Sequence, residues 1–318
     1  MGTIMPRYVL NKLLSLFPVL IGISLIAFLL GIISPGDPVE IALNQSGMSF
    51  ASQEQIDAMR EQLGLNDSLP TQYLRWAGRV IHGDLGNSYR NNRSVSHELA
   101  QRLPVTLKLA GYCIVIASFF GVLLGVAAAA YRDRLPDRII KTFTNALLSL
   151  PAFWMALLMI LLFAERLRWL PTSGVGGFKH MLMPAVVLSS STTAALARLI
   201  RSTMLAEFGK QYFLAANARG LGRIALLLHS ALPNAILPAI TLLGNYFGGI
   251  LGGSTVVETM FALPGIGSYA ISSIGFRDYP VLQGYVLFTG FLFVSITLLV
   301  DLLCMALNPK IRLGAATQ

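Results

Sequence analysis

Charged residues are scarce in this chain. Only 12% of its 318 residues are Asp, Glu, Lys or Arg, whereas a typical soluble domain carries roughly 25%. Hydrophobic residues make up 54% of the sequence, so too little polar surface remains to cover a water-soluble body. The shortage of charge argues against an ordinary soluble domain and predicts an integral membrane protein.

Cysteine and histidine are also rare. Cys113 and Cys304 both lie in apolar runs, where a free thiol behaves as a small hydrophobic group. Neither a disulfide framework nor a metal knuckle is indicated. The histidines are scattered, without ligand spacing, at His82, His97, His180 and His229. We therefore expect no metal site built within this chain.

The sequence lacks a phosphate-binding loop of the G-x-x-x-x-G-K-[ST] type, so we expect no ATP hydrolysis by that route. A membrane enzyme would need a nucleophile–base pair or a metal cluster in its apolar segments, and we find none. The net charge of +9 is explained by Lys and Arg in cytoplasmic loops. We expect no catalytic residue, no cofactor held by this chain and no nucleic-acid partner.

Six segments have the roughly 20 mostly apolar residues that a spanning helix needs. They cover about residues 8–33, 105–130, 139–164, 181–204, 236–257 and 281–307. The first lacks a small-residue cleavage site and is too long for a signal-peptide core, so we interpret it as a retained span. The predicted fold class is an all-α integral membrane protein with six transmembrane helices.

Basic residues in short loops set the orientation. The loop between spans two and three, the insert after span four and both chain ends are rich in Lys and Arg. With six spans all four fall on one side, which is then cytoplasmic. The loop before span four is the exception, because it places Arg166, Arg168 and Lys179 on the outer side. We expect both termini in the cytoplasm.

This topology divides the chain into three parts. Residues 1–34 form an N-terminal transmembrane helix, residues 35–103 a small extracytoplasmic helical segment, and residues 104–318 a five-helix transmembrane core with a cytoplasmic loop at 205–235. In the outer segment we predict a helix from Ser52 to Leu63, closed by Gly64, and a second over 73–81. The segment has few apolar anchors, so we expect it to pack on the membrane part.

The loop after span four contains a basic, Ala-rich, amphipathic insert, YFLAANARGLGRIALLLHSALPNAILP, at residues 212–238. Small side chains at Ala215 and Ala216 let another surface approach closely, and Gly220 permits a bend. We predict a helix-turn-helix along the cytoplasmic face that enters a groove on a partner. The alternative is a basic interfacial helix that only lies on anionic lipid.

Other ordered blocks accompany this loop. They are Pro35-Gly36-Asp37-Pro38, residues 63–89, Trp169-Leu170-Pro171, residues 261–280 and residues 308–312. Together they resemble the membrane subunit of the dipeptide/oligopeptide/nickel class of binding-protein-dependent ABC importers, over Tyr8 to Arg312. The insert resembles the EAA coupling loop of such permeases, the element on which the ATPase sits.

The resemblance implies a type I ABC importer permease fold in a bacterial inner (cytoplasmic) membrane. It also implies a second homologous permease subunit, two cytoplasmic ABC ATPases that hold ATP and Mg, and an extracytoplasmic substrate-binding protein. The implied coupling residues are Ala215, Ala216, Asn217, Arg219, Gly220, Leu221, Leu232 and Pro233. Two positions depart from the pattern: Ala215 replaces the acidic residue of the motif, and Asn217 stands where relatives commonly carry Arg.

Polar residues inside spans usually face a bundle interior or a cavity. The candidates for the translocation path are Asn145, Ser149, Ser190, Thr193, Asn245 and Glu258. For the Ser/Thr run in span four, close helix–helix packing is an equally open interpretation. Pro264-Gly265-x-Gly267 predicts a broken helix and a re-entrant turn buried in protein.

Three short segments bear on the substrate. Residues 174–180, Tyr269-Ala270 and 277–280 look more like nickel-type members, so we favour nickel or a metal chelate. A di- or oligopeptide importer is the alternative. A secondary transporter is remote, because intramembrane charge is nearly absent and no repeat is visible between the halves.

Overall fold

The computed structural model describes residues 4–33, 39–40, 43, 52–62, 64–208, 210–219 and 222–307. Within these residues every named secondary-structure element is a helix, which confirms the all-α class. Five helices are long and apolar enough to cross a membrane, and a bent pair provides a sixth span if it is counted as one. The sequence blocks at 35–38 and 308–312 lie outside the described residues.

The described helices are numbered here in chain order. They are α1 (Ile4–Ile33), α2 (Gln53–Gln62), α3 (Leu69–Ile81), α4 (Val95–Ala130), α5 (Leu135–Ser149), α6 (Ala152–Met159), α7 (Phe178–Glu207), α8 (Gln211–Ala218), α9 (Arg223–Leu226), α10 (Leu232–Gly253), α11 (Thr255–Met260), α12 (Ile266–Gly275) and α13 (Tyr279–Leu307). Two π-helical segments, Ile160–Arg166 and Leu227–Ala231, extend α6 and join α9 to α10.

The predicted third span is not one straight helix. Helices α5 and α6 are bent by 103° relative to each other, and Leu150 between them is extended at φ −82° and ψ 124°. Proline has no amide hydrogen and disfavours the helical conformation of the residue before it. Pro151 therefore breaks the apolar run that composition alone predicts as a single helix. The fifth span also ends earlier than predicted, at Gly253 rather than 257.

Helices α4 and α7 form the central pair of the bundle. Small residues recur at every fourth position of α4, and therefore on one face: Ala117, Gly121, Gly125 and Ala129. A methyl group on Gly125 would lie 2.7 Å from Cβ of Ile200 and 2.8 Å from the carbonyl oxygen of Ala197. Because lipid tails are as apolar as the helices, association depends on such close approach.

Glycines also place α13 between two other spans. A Cβ on Gly290 would lie 2.9 Å from the side chain of Ile23 in α1. On α10, a Cβ on Gly248 would lie 2.8 Å from the ring of Phe293 in α13. Helix α13 therefore packs against α1 through one glycine contact and against α10 through another.

The segment between α1 and α4 contains both predicted helices. Helix α2 starts with a reciprocal cap, in which the Gln55 amide donates to Ser52 Oγ and the Ser52 amide donates to Gln55 Oε1. Helix α3 contacts α1: the Tyr73 ring centroid is 5.4 Å from that of Phe28, and Tyr73 Oη is 2.8 Å from Ser24 Oγ. The segment therefore packs on the first span.

Candidate functional site

The loop between α7 and α10 is the main candidate site. It contains α8, α9 and the π-helical segment Leu227–Ala231, which runs directly into α10. The sequence predicts two helices with a turn between them, and the described residues include a helix on each side of Gly220. Gly220 and Leu221 themselves, and the side chains of Ala216 and Asn217, lie outside the described residues.

A buried carboxylate holds the base of this loop. Glu207, the last residue of α7, is only 4% exposed. It accepts a hydrogen bond of 2.6 Å from Lys210 Nζ and a short one from the Tyr212 hydroxyl. Glu207 therefore ties the end of the fourth span to the first turn of α8.

Tyr212 extends this connection to the fifth span. Its hydroxyl oxygen accepts a 2.9 Å hydrogen bond from Asn234 Nδ2, and the same amide nitrogen donates to the Ser230 carbonyl at 3.1 Å. Desolvation, followed by the hydrogen bond to Glu207, raises the pKa of Tyr212 to about 12. The phenol therefore stays protonated near neutral pH and can donate to Glu207 while accepting from Asn234.

Apolar packing supports the inner side of the loop. Phe208 and Phe213 stack with ring centroids 4.9 Å apart. Leu227 and Ala231 are buried in a cluster with Ile200 of α7 and Ala129 of α4. The loop thus rests on the ends of the same two helices whose small residues pack together.

The outer side of the loop is open and combines small, apolar and basic residues. Ala215 and Arg219 are exposed, Ile224 is 69% exposed and Leu228 is 40% exposed. Pro233 is exposed as well, whereas Leu232 is half-buried. A loop that is held at its base and exposes both apolar and basic side chains is suited to contact another macromolecule.

A second buried carboxylate lies next to the predicted cytoplasmic end of the bundle. Asp137 of α5 is fully buried and forms a bidentate salt bridge with Arg201 of α7, with both N–O distances at 2.8 Å. It also accepts from the Asp133 amide at 2.9 Å and from Lys141 Nζ at 3.1 Å. This arrangement fastens the loop between α4 and α5 to the span that leads into the candidate site.

The predicted path residues differ in their burial. Asn145, Ser149 and Asn245 are exposed. Ser190 is half-buried and donates to the Val187 carbonyl at 2.7 Å, whereas Thr193 is buried in α7. Their role in translocation stays a prediction.

Glu258, the remaining path candidate, is fully buried. Its carboxylate accepts hydrogen bonds from Thr106 Oγ1 at 2.7 Å, Ser254 Oγ at 2.9 Å and the Ser268 amide at 3.0 Å. A Cβ on Gly265 would lie 2.3 Å from Glu258 Cδ. The chain thus breaks after α10 and folds closely around this carboxylate, so the predicted turn at 264–267 is present and Glu258 anchors it.

A cavity of about 500 Å³ opens beside this turn. Its lining includes three arginines, Arg90, Arg93 and Arg102, together with Tyr269 and Asp278. Two of the segments quoted for the nickel-type resemblance, at Tyr269 and at 277–280, therefore contribute to an arginine-rich cavity.

Sequence reasoning did not identify the residues that fasten the candidate loop. From the sequence, Glu207 is a single acid near a basic insert and Arg201 is one of several bases around it. No sequence pattern connects Tyr212 with Asn234, because 22 residues separate them.

The chain matches two family models. Residues 121–313 match "Binding-protein-dependent transport system inner membrane component", and residues 5–110 match "Binding-prot-dependent transport system membrane comp, N-term".

Full-length relatives are also found. The chain is 37% identical over 308 residues to the "Glutathione transport system permease protein GsiC" of Salmonella paratyphi A, covering 97% of this chain and 99% of that protein. The protein of the same name from Escherichia coli (strain K12) is 36% identical over the same coverage.

Two solved structures share the fold. One is an amino acid ABC transporter with histidines, with a TM-score of 0.52, 16% identity and coverage of 65% of this chain and 93% of that one. The other is the MetNI methionine ABC transporter in inward-facing conformations, with a TM-score of 0.54, 18% identity and coverage of 66% and 96%. These identities are low, so the likeness concerns the fold.

Proposed function

The chain belongs to the family of binding-protein-dependent transport system inner membrane components, and from this membership we propose that it forms the translocation path for a peptide or a peptide-like molecule such as glutathione. As a member of that family it is a multi-pass inner-membrane permease subunit of an ABC importer. The carrying observation is 37% identity, over nearly the full length of both proteins, to a glutathione permease.

The relatives favour the peptide alternative over the nickel interpretation of the sequence. The residues around Tyr269 and Asp278 also favour a peptide. Tyr269 and Asp278 line a cavity with three arginines, and guanidinium groups repel a divalent cation while they attract a carboxylate. Peptides and glutathione carry carboxylates, so the outer mouth of this chain suits them better than a free metal ion.

The loop at 205–235 is proposed as the contact with an ATPase subunit. Its base is fastened through Glu207, Tyr212 and Asn234, so a force on its outer face is transmitted to both α7 and α10. Its outer face exposes Ile224 and Leu228, which a soluble partner can bury. The alternative, a helix that only lies on lipid, needs no such fastening.

The proposed assembly contains this chain, a second homologous permease subunit, two cytoplasmic ATPases that hold ATP and Mg, and an extracytoplasmic binding protein. Closure of the ATPases moves the paired loops, and the spans rock between outward-open and inward-open arrangements. In this arrangement both termini of the chain are cytoplasmic, residues 35–103 are extracytoplasmic, and ATP hydrolysis takes place on the partner subunits.

Uptake by whole cells tests the substrate. Cells that lack this chain, and the same cells with it restored, are given radiolabelled glutathione, radiolabelled trialanine or radiolabelled nickel. We expect restoration to return uptake of glutathione or trialanine and to leave nickel uptake unchanged. Restored nickel uptake that excess peptide does not inhibit would contradict the proposal and return the assignment to a metal permease.

The docking role is tested with Ile224→Asp. A charge at a position that is 69% exposed should leave the bundle folded but oppose burial against an apolar groove on the ATPase. We expect loss of ATPase co-purification in detergent, where lipid binding plays no part. The matched control is Ile81→Asp, at a position 83% exposed in the outer segment. Equal ATPase retention by both variants would exclude this face as the docking surface.

A further inference from the structure

The arginine-rich cavity lies between residues 88–102 and helix α12. Its volume of about 500 Å³ falls within the range of small-molecule sites, roughly 300–1,000 Å³. With residues 35–103 extracytoplasmic, as proposed, the cavity opens on the extracytoplasmic side of the membrane. The translocation-path predictions do not include it, and neither does the coupling loop.

Two of its arginines, Arg93 and Arg102, form salt bridges with the buried Glu98. Arg102 donates through Nε at 3.2 Å and Nη2 at 2.8 Å to Glu98 Oε2, and its guanidinium lies 4.4 Å from the Tyr269 ring centroid. Arg93 Nη1 donates to Glu98 Oε1 at 3.2 Å. Glu98 thus neutralises the equivalent of one of these two guanidinium charges.

The third arginine, Arg90, has no carboxylate within ion-pair distance among the described residues. Its guanidinium lies 3.9 Å from the ring centroid of Phe276. The nearby acid Asp278 is occupied: it accepts from Ser88 Oγ at 2.5 Å and from the Tyr89 amide at 3.1 Å. Three guanidinium groups face two occupied carboxylates, so one positive charge remains for a ligand.

A hydroxyl group reinforces this preference. Tyr269 is only 9% exposed, and within the described part of the chain its hydroxyl, beside Ser88, makes no hydrogen bond of standard geometry. Desolvation, and then the negative charge of Asp278, raise the pKa of this phenol. The hydroxyl therefore keeps its proton and is available to donate to an acceptor in the cavity.

We propose that this cavity binds a carboxylate of the transported peptide-like molecule, with Arg90 and the Tyr269 hydroxyl as its donors. A guanidinium presents two parallel N–H groups that match the two oxygens of a carboxylate. The carboxylate would enter beside Ser272 and Ser273, whose hydroxyls already donate to the Tyr269 carbonyl at 2.8 Å each. The assignment of the ligand class rests on the proposed function.

Equilibrium binding to the assembled complex tests the site. The complex, in lipid nanodiscs and without its binding protein, is titrated with radiolabelled trialanine and with trialanine amide, which lacks the carboxylate. We expect the amide to bind about tenfold or more weakly, the order of effect of losing one charged hydrogen bond. Arg90→Gln should lower the affinity for trialanine to that of the amide and leave the affinity for the amide unchanged.

Two further variants refine the assignment. Arg90→Lys keeps the charge but not the two-pronged geometry, so it should bind trialanine with intermediate affinity. Tyr269→Phe keeps the ring under Arg102 and should weaken trialanine binding severalfold. The control is Arg79→Gln, at an exposed arginine of α3 in the same outer segment, for which we expect no change.

Equal affinities for trialanine and its amide in the unaltered complex would overturn the inference. So would an Arg90→Gln complex that binds trialanine normally but binds the substrate-binding protein more weakly, because the cavity would then be a contact for an acidic protein surface. Failure of the complete system to import any peptide would instead overturn the proposed function. These results separate the two claims.

Discussion

Replacing Tyr212 with Phe removes one oxygen atom from the base of the proposed coupling loop. That oxygen donates to Glu207 and accepts from Asn234, so it links α7, α8 and α10. The ring of Phe fills the same space, and Glu207 retains its hydrogen bond from Lys210 at 2.6 Å. The variant therefore tests the connection itself, with little change in packing.

The expected magnitude follows from the two lost hydrogen bonds. A hydrogen bond to a charged group contributes about 1.5–3 kcal/mol and a neutral one about 1 kcal/mol. Tyr212 is 44% exposed, so water replaces part of this loss, and Asn234 still donates to the Ser230 carbonyl. We expect a net destabilisation of the loop of about 1–2 kcal/mol, which corresponds to a roughly tenfold larger population of the detached loop.

Hydrogen exchange and transport coupling measure this effect together. Amide exchange in α8 should accelerate roughly tenfold in the assembled complex, and less substrate should be imported per ATP hydrolysed. The matched control is Tyr131→Phe, at a tyrosine 48% exposed on the loop after α4. Unchanged exchange and unchanged coupling in Tyr212→Phe would refute the idea that this link transmits motion from the loop to the spans.

Three other predictions follow from the same contacts. Gly125→Ala should destabilise the fold by about 1–3 kcal/mol through overpacking, because the new Cβ would lie 2.7 Å from a side chain of α7, and its thermal unfolding midpoint in detergent should fall. Gly111→Ala on the same helix is the control, since a Cβ there would meet nothing within 4 Å. Equal midpoints for the two variants would contradict the close α4–α7 contact. Glu258→Gln places an amide among groups that all donate to the native carboxylate, so it should destabilise the turn around residue 258 by about 1–3 kcal/mol. We expect faster proteolysis of residues 254–278. Glu54→Gln on α2 is the control and should have no effect. The pKa of Tyr212 is raised from 10.0 to about 12, so the stabilisation that its phenol gives the loop is complete below pH 10.0 and is lost only as the pH rises toward 12. Amide-exchange protection of the loop should therefore be constant near neutral pH. A change in protection with a midpoint between about pH 6 and pH 9 that disappears in Tyr212→Phe would show that the assigned pKa is wrong.

The sequence predicted the class of the molecule and the position of its spans because both depend on local composition. Long apolar runs must form helices in lipid, since no water is present to satisfy the backbone. The third span shows the limit of that reasoning. Composition predicted a helix over 139–164, but Pro151 changes the direction of the chain by 103°, and only the structure gives that angle.

The candidate loop was likewise identified by its order in the chain, after the fourth span, and by small residues such as Ala215. Which residues fasten it was not predictable. Glu207 and Asn234 are 27 positions apart, and they meet through Tyr212 only because α7 and α10 lie side by side. A hydrogen bond across such a distance leaves no periodic signal in the sequence.

The amino-acid sequence by itself determined that this is a helical membrane protein, since scarcity of charge and six apolar runs leave few other solutions, and its ordered blocks identified its family. Tertiary structure alone decided which polar groups are enclosed and which are available. Asp137 and Glu258 become buried anchors because distant donors converge on them. Arg90 forms no ion pair among the described residues, and Asp278, which lines the same cavity, accepts instead from the Tyr89 amide and from Ser88. Burial and partner choice depend on which helices pack together, and that is a property of the folded chain.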